Sequence, residues 1–259
     1  MSVSWPPLDT HAHVDVYIGA RELLELRAVV FAASRSLAES STALSRQAAD
    51  LLVVWGLGVH PGLKDSLEDY DHARFSDLLD RTAYVGEVGL DGKAKGRLPR
   101  QQQVLSEILA TLQERPRITS LHSYAATHEL LESLVSTPIE GAVLHWWLGD
   151  AASTRKAVEA GAYFSVNMAS LRHEETISEI PLERILLETD HPDGNRSSPA
   201  PRRPGRVDNL EKALGSRFGL TPGQMRLATW RNLRDLVDRT RCADLLPQQV
   251  GSILSAVHD

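Results

Sequence analysis

Eight short apolar runs, separated by segments of helical periodicity, constrain this chain more than any other feature. They cover residues 8–10, 28–33, 51–59, 83–90, 118–121, 141–144, 162–166 and 185–187. They are near-continuously apolar and often β-branched, as strands buried on both faces are. Between them, Leu105, Ile108, Leu109 and Leu112 recur at spacings of three and four, as on one helix face, and Leu130, Leu131 and Leu134 do the same. Strand and helix alternating eight times predicts an α/β fold with a parallel sheet, closed as a TIM-like (β/α)8 barrel. A doubly wound open sheet carries the same pattern, and counting strands does not exclude it. Two or three helices follow the eighth run, with Asn209, Thr221 and Leu245 near their starts. The 259 residues, 42% of them apolar, suffice for one barrel. The expected unit is a single domain over 1–259, with helices from about 207 to 259 packing on the barrel.

The residues that end these runs are the second constraint. Run one leads into His11 and His13, and run three ends in Gly58-Val59-His60-Pro61. Run four carries Gly86-Glu87-Val88-Gly89-Leu90-Asp91. Runs five and six give Leu121-His122-Ser123 and Leu144-His145-Trp146, and run eight gives Leu187-Glu188-Thr189-Asp190. In a parallel barrel all these points lie on the C-terminal face, where such enzymes build their sites. His11 and His13 are two apart, so in a strand both imidazoles face one side and can reach one ion. A lone histidine after a strand is more often a hydrogen-bonded loop or core residue. Glu87 is harder to dismiss, because an unpaired buried carboxylate is expensive. The same argument applies to Asp190. The joint occurrence favours a centre in which cations stabilise the carboxylates and hold the imidazoles as neutral ligands.

The single cysteine, Cys242, forms no internal disulfide and no Cys-x-x-Cys metal site. With no signal segment before the first run and no apolar run of membrane length, the expected setting is cytoplasmic, without a membrane partner. The formal net charge of -6 argues against a broadly basic nucleic-acid coat. It leaves a nuclease open, since bound metals supply local positive charge.

Taken in order, Asp9-Thr10-His11-Ala12-His13-Val14-Asp15, Gly58-Val59-His60-Pro61, Val85 to Asp91, Leu121-His122-Ser123, Leu144-His145-Trp146 and Leu187-Glu188-Thr189-Asp190 resemble the TatD family of metal-dependent nucleases. That family sits among the amidohydrolase-like barrels. The resemblance spans Asp9 to Asp190, with a weaker echo at 205–209. It implies a barrel of the metal-dependent hydrolase type, two divalent ions and hydrolysis of DNA. By the resemblance, His11, His13 and Asp190 hold one ion, His122 and His145 the second, and Glu87 bridges them. His60 sits beside the substrate phosphate. Asp9 and Asp91 orient ligands, and Asp190 also takes the proton from the attacking water. The mixed nitrogen and oxygen set suits Zn or Mn at least as well as Mg. No Gly-x-Ser-x-Gly elbow offers a side-chain nucleophile instead.

Tyr124 stands where family members commonly carry an Arg, and Trp146-Trp147 replaces the usual residues after the strand-six histidine. His191 follows Asp190 and reads more simply as an orienting or surface residue than as an extra ligand. His145-Trp146 with Tyr163-Phe164-Ser165-Val166-Asn167 is similar to the QatD-like components of bacterial anti-phage systems, which implies partner proteins and a defence role. Eight of the 28 basic residues fall in two segments, 91–100 (Lys93, Lys95, Arg97, Arg100) and 191–206 (Arg196, Arg202, Arg203, Arg206). Both follow barrel strands, so both are expected to rim the site and steer an anionic substrate, with Arg202 and Arg203 as phosphate contacts. Alternation after His145 makes Trp147 the candidate platform for base stacking. Two rival functions stay open: an amidohydrolase-like enzyme cleaving a C–N or C–O bond in a small molecule, and a partner-dependent or inactive nucleic-acid-binding subunit. Glu87 stands where many amidohydrolases carry a modified Lys, which favours the nuclease reading.

Overall fold

The computed structural model describes residues 5–257. Eight parallel strands alternate with helices: β1 Leu8–Ala12, β2 Val29–Ala32, β3 Val53–Trp55, β4 Tyr84–Gly89, β5 Ile118–His122, β6 Ala142–His145, β7 Tyr163–Val166 and β8 Ile185–Leu187. Each apolar run of the sequence overlaps one of them. The intervening helices include Leu98–Glu114 and Thr127–Ser136, whose leucine stripes are buried. Asp208–Arg217, Pro222–Thr240 and Gln248–Ser255 follow β8. Thr221 caps the second of these, accepting from the Gln224 amide through its hydroxyl, with Pro at the first helical position.

The ladders run β1-β2-β3 and β4-β5-β6-β7-β8. They meet where Leu57, beyond the short β3, bridges Val85, with Leu57 N–H donating to Tyr84 O at 3.0 Å and Gly86 N–H to Leu57 O at 2.9 Å. Among the described residues, no ladder joins β8 to β1, so the hydrogen-bonded ring expected of a closed barrel is interrupted at this seam. Side-chain bonds and isolated backbone bonds take over there. The Asp9 carboxylate accepts from Thr189 N–H at 2.8 Å, Thr189 Oγ1 at 2.7 Å and Gly205 N–H at 2.7 Å. Thr10 Oγ1 donates to Leu187 O at 3.0 Å, and Asp190 N–H donates to His11 O at 2.9 Å. The register of β1 against β2 shifts between Asp9 and Ala12, which bends β1 as it enters the site.

Alternation along the strands makes two cores. Leu8, Val29, Phe31, Val54, Tyr84, Val143, Tyr163 and Leu186 share one cluster with Trp230, Leu233 and Val250 of the C-terminal helices. Val30, Ala32, Val53, Trp55, Val85, Leu144, Phe164 and Leu187 share another with the helices between strands. Pro222–Thr240 and Gln248–Ser255 thus pack chiefly on the first cluster, whereas Leu210 and Leu214 of Asp208–Arg217 join the second. Trp230 Nε1 donates to Pro6 O at 2.9 Å and ties the N-terminal segment to Pro222–Thr240. No described helix is long and apolar enough to cross a membrane.

Candidate metal centre

The strand ends bring His11, His13, His60, Glu87, His122, His145 and Asp190 to one place, although 179 positions separate His11 from Asp190. Glu87 is at its middle and is buried. Its two oxygens face different imidazoles. Oε1 lies 2.8 Å from His145 Nε2 and in close contact with His122 Nδ1. Oε2 lies 3.3 Å from His13 Nε2, 3.4 Å from His60 Nε2 and 3.9 Å from His11 Nε2. Asp190 Oδ1 is 3.7 Å from His11 Nε2 and 3.8 Å from His13 Nε2.

This donor set fits divalent ions. Glu87 Oε2 and His11 Nε2 are buried atoms with no hydrogen-bond partner, and they point at each other across 3.9 Å. Donors arranged tetrahedrally about 2.1 Å from a metal lie roughly 3.4 Å apart. Three groups have their donor atoms within 4.8 Å of one another: His11 with His145 and Asp190, His11 with His13 and Glu87, and His60 with Glu87 and His122. His60, expected only beside a substrate phosphate, is therefore also within ligand reach.

Surrounding groups fix the rings. His11 Nδ1 is engaged by the hydroxyls of Ser120 at 2.7 Å and Tyr84 at 3.2 Å. His13 Nδ1 lies 3.2 Å from the Ala33 carbonyl, which can only accept, so Nδ1 is the donor there and Nε2 faces Glu87 and Asp190. His122 Nε2 lies 3.6 Å from Asp91 Oδ2. Glu188 was not singled out from the sequence. It is buried beside His145 Nδ1 at 3.9 Å, accepts from Asn167 Nδ2 at 2.9 Å and the Trp146 N–H at 3.2 Å, and is bonded by Ser165 Oγ. A signal akin to that of Glu87, an acid in or directly after an apolar run, was present at Glu188 too.

Electrostatics follow the same geometry. Burial would push Glu87 up, but the imidazoles of His60, His145 and His122 hold it well below the usual carboxylate range. Burial, with His145 beside it, keeps His11 well below the ordinary imidazole value and therefore neutral. His145 and His122 are buried as well, yet Glu87 draws both upward. Burial raises Asp190 to about 6. It raises Asp9 to about 6 as well, against the lowering effect of its Thr189 and Gly205 bonds.

A cleft of about 590 Å³ opens over the cluster, lined by His13, His60, Glu87, His122, His145 and Asp190 and by Lys93, Tyr124, Trp146, Arg172 and Arg196. Two expectations need correction here. Trp147 is not at the mouth: it is 3% exposed, packs on Phe164 and donates from Nε1 to Thr154 Oγ1 at 2.9 Å. Trp146 takes a left-handed conformation (φ 40°), which breaks the strand alternation and puts Trp146 itself in the cleft wall. Arg202 and Arg203 do not line the cleft, and Arg202 Nε donates to Ser198 O at 3.0 Å. Arg97 and Arg100 turn to the carbonyls of Gly62 and Leu67, and Arg206 to Asp208. The side chain of Lys95 lies outside the described residues. The cations that do line the cleft are Lys93, Arg196 and Arg172, the last unforeseen. His191 meets Asn195 and lies outside the donor groups.

Parallel strands carrying imidazole and carboxylate donors at their C-terminal ends define a protein of the metal-dependent hydrolase class. The family described as TatD related DNase matches residues 8–238, and this chain belongs to it. It is 27% identical to an uncharacterized metal-dependent hydrolase TatD of Mycobacterium tuberculosis, over 88% of this chain and 96% of that protein. It is 28% identical to a 3'-5' ssDNA/RNA exonuclease TatD of Klebsiella pneumoniae, over 61% of this chain and 64% of that protein. The crystal structure of the TatD homologue YjjV of Escherichia coli superposes with a TM-score of 0.77 at 23% identity, covering 88% of this chain and 96% of that one. That likeness shows the fold.

Proposed function

We propose that the chain hydrolyses phosphodiester bonds in DNA with two divalent ions. The observation that carries this reading is the division of Glu87: one oxygen serves His122 and His145, the other serves His11, His13 and His60. A carboxylate so divided suits a bridge. His11, His13 and Asp190 would hold one ion, and His122 and His145 the second, with Zn, Mn or Mg as the candidates. Bound ions would supply Lewis acidity and a water activated near neutral pH. The chain's own residues do the rest. Asp190 stands among the imidazoles to receive the proton of the attacking water. His60 faces the cleft beside Glu87, where a phosphate oxygen would enter. Asp9, Asp91, Ser120 and Glu188 hold the ligands in orientation. Lys93, Arg172 and Arg196 give the cleft the positive rim that the net charge of -6 lacks. A named exonuclease among the relatives supports the substrate class.

A defence role with partner proteins rests on the sequence of His145-Trp146 and 163–167 alone. In the structure Trp146 lines the cleft and Asn167 bonds Glu188, so both segments serve the site whichever pathway employs it. The test is hydrolysis of single- and double-stranded DNA by chelator-stripped protein, with Mn, Mg and Zn restored singly. Metal-dependent cleavage that Glu87→Ala abolishes is the expected result. Two ions bound per chain without cleavage under any of them would overturn the reading.

A further inference from the structure

Lys93 and Tyr124 lie on different loops of the cleft, yet they are held as one unit. The Lys93 ammonium sits 4.5 Å from the centroid of the Tyr124 ring. The loops that carry them are joined at the backbone: Gly92 N–H donates to Tyr124 O at 2.7 Å. The approach leaves no room for a side chain at residue 92, where a Cβ would lie 1.9 Å from the Ala125 carbonyl oxygen. Ala125 takes a left-handed conformation (φ 51°) to allow it. The unit is also keyed to the candidate ligands. Lys93 N–H donates to Asp91 Oδ1 at 2.9 Å, while Asp91 Oδ2 lies 3.6 Å from His122 Nε2. Tyr124 is two residues beyond His122 and remains 40% exposed.

The cleft cations differ in what they already bind. Arg196 is paired with Asp193. The Lys93 ammonium rests on a neutral ring, which restrains its long side chain without cancelling its charge. A pre-positioned cation held by a ring rather than by a salt bridge, beside the candidate metal centre, is suited to a phosphate that is not itself being cleaved.

We propose that Lys93, placed by Tyr124, grips a non-scissile phosphate of the same strand, so that the site selects polynucleotide over small phosphodiesters. This rests on the nuclease reading above and specifies its substrate recognition. Lys93 is the contact, and Tyr124 is a positioning residue that acts through it.

The test compares a short oligothymidylate with bis(p-nitrophenyl) phosphate, which offers no second phosphate. For Lys93→Gln the ratio of kcat/KM for the oligonucleotide to that for the small diester should fall roughly 5- to 10-fold, mainly through KM. The slope of log binding constant against log salt, read by fluorescence anisotropy, should shrink by about one. Tyr124→Ala should lower the ratio similarly, Tyr124→Phe should preserve most of it, and adding Tyr124→Ala to Lys93→Gln should change little. An unmoved ratio, an unmoved salt slope, or additive losses in the double variant would overturn the assignment while leaving the nuclease reading intact. Failure of the unmodified protein to cleave the oligonucleotide with any of the three metals would overturn the nuclease reading itself, and this assignment with it.

Discussion

Single residues carry the chemistry here, and their neighbours set how well they do it. Glu188 holds no candidate metal position, yet it faces His145 Nδ1 and gathers Ser165, Asn167 and the Trp146 amide around its carboxylate. Such partners are worth 10- to 100-fold in metal affinity. Glu188→Gln is therefore expected to weaken metal binding by about that factor with the fold intact, as competition with a chromogenic chelator would measure. Unchanged affinity would make Glu188 merely a core hydrogen-bond acceptor. The tryptophan pair separates by the same logic. Trp147→Ala empties a buried site and should cost about 3–5 kcal/mol in urea unfolding. Trp146→Ala should cost within about 1 kcal/mol and show its effect in oligonucleotide affinity. The reverse ranking would restore Trp147 as the cleft residue. The seven residues of the candidate cluster stood out in the sequence, six as ligands implied by the family resemblance and His60 as a phosphate contact, because each is a costly or ligand-competent group in or just after an apolar run. The tryptophan assignment was not legible there, because it assumed extended backbone through residue 146, and a φ of 40° there reverses which ring faces the cleft.

Between elements, the informative place is the seam from β8 to β1. The strands were readable: every apolar run overlaps one, and β8 at Ile185–Leu187 matches its run end to end. The way they close was not readable, because pairing at a seam depends on side chains brought together from 180 positions apart. At this seam the Asp9 carboxylate accepts from Thr189 N–H, Thr189 Oγ1 and Gly205 N–H, tying β1 to the segment beyond β8. Asp9→Ala strands buried donors at Thr189 and Gly205 and is expected to cost roughly 3 kcal/mol, each unsatisfied group contributing about 1–3. Chemical denaturation of the chelator-treated variant and parent would read it without interference from metal binding. A loss below about 1 kcal/mol would mean that backbone pairing closes the seam unaided. The loop join at Gly92 makes the related point that two elements can be registered by one backbone contact.

For the molecule as a whole, metal binding and folding are linked. The candidate donors come from six different strands or strand ends, so an unfolded chain cannot assemble them, and ions that bind only the folded state stabilise it by mass action. At a free metal concentration 100 times the dissociation constant the gain is about 2.7 kcal/mol. For a chain of this size, removal by chelator should lower Tm by about 5–10 °C. Calorimetry with and without chelator checks it, and an unchanged Tm would mean that the cluster does not take ions tightly. The sequence by itself determined the number of strands, the alternating α/β class and the candidate donor residues in or just after the apolar runs. These depend on local periodicity and on the high cost of burying an unpaired carboxylate, both of which can be read along the chain. Only the tertiary structure decided which cations line the cleft, which tryptophan faces it, how the seam closes and that Lys93 rests on Tyr124. Each of these is set by contacts between loops distant in sequence, where a single backbone angle or one donor–acceptor distance chooses among arrangements that the sequence pattern leaves equal.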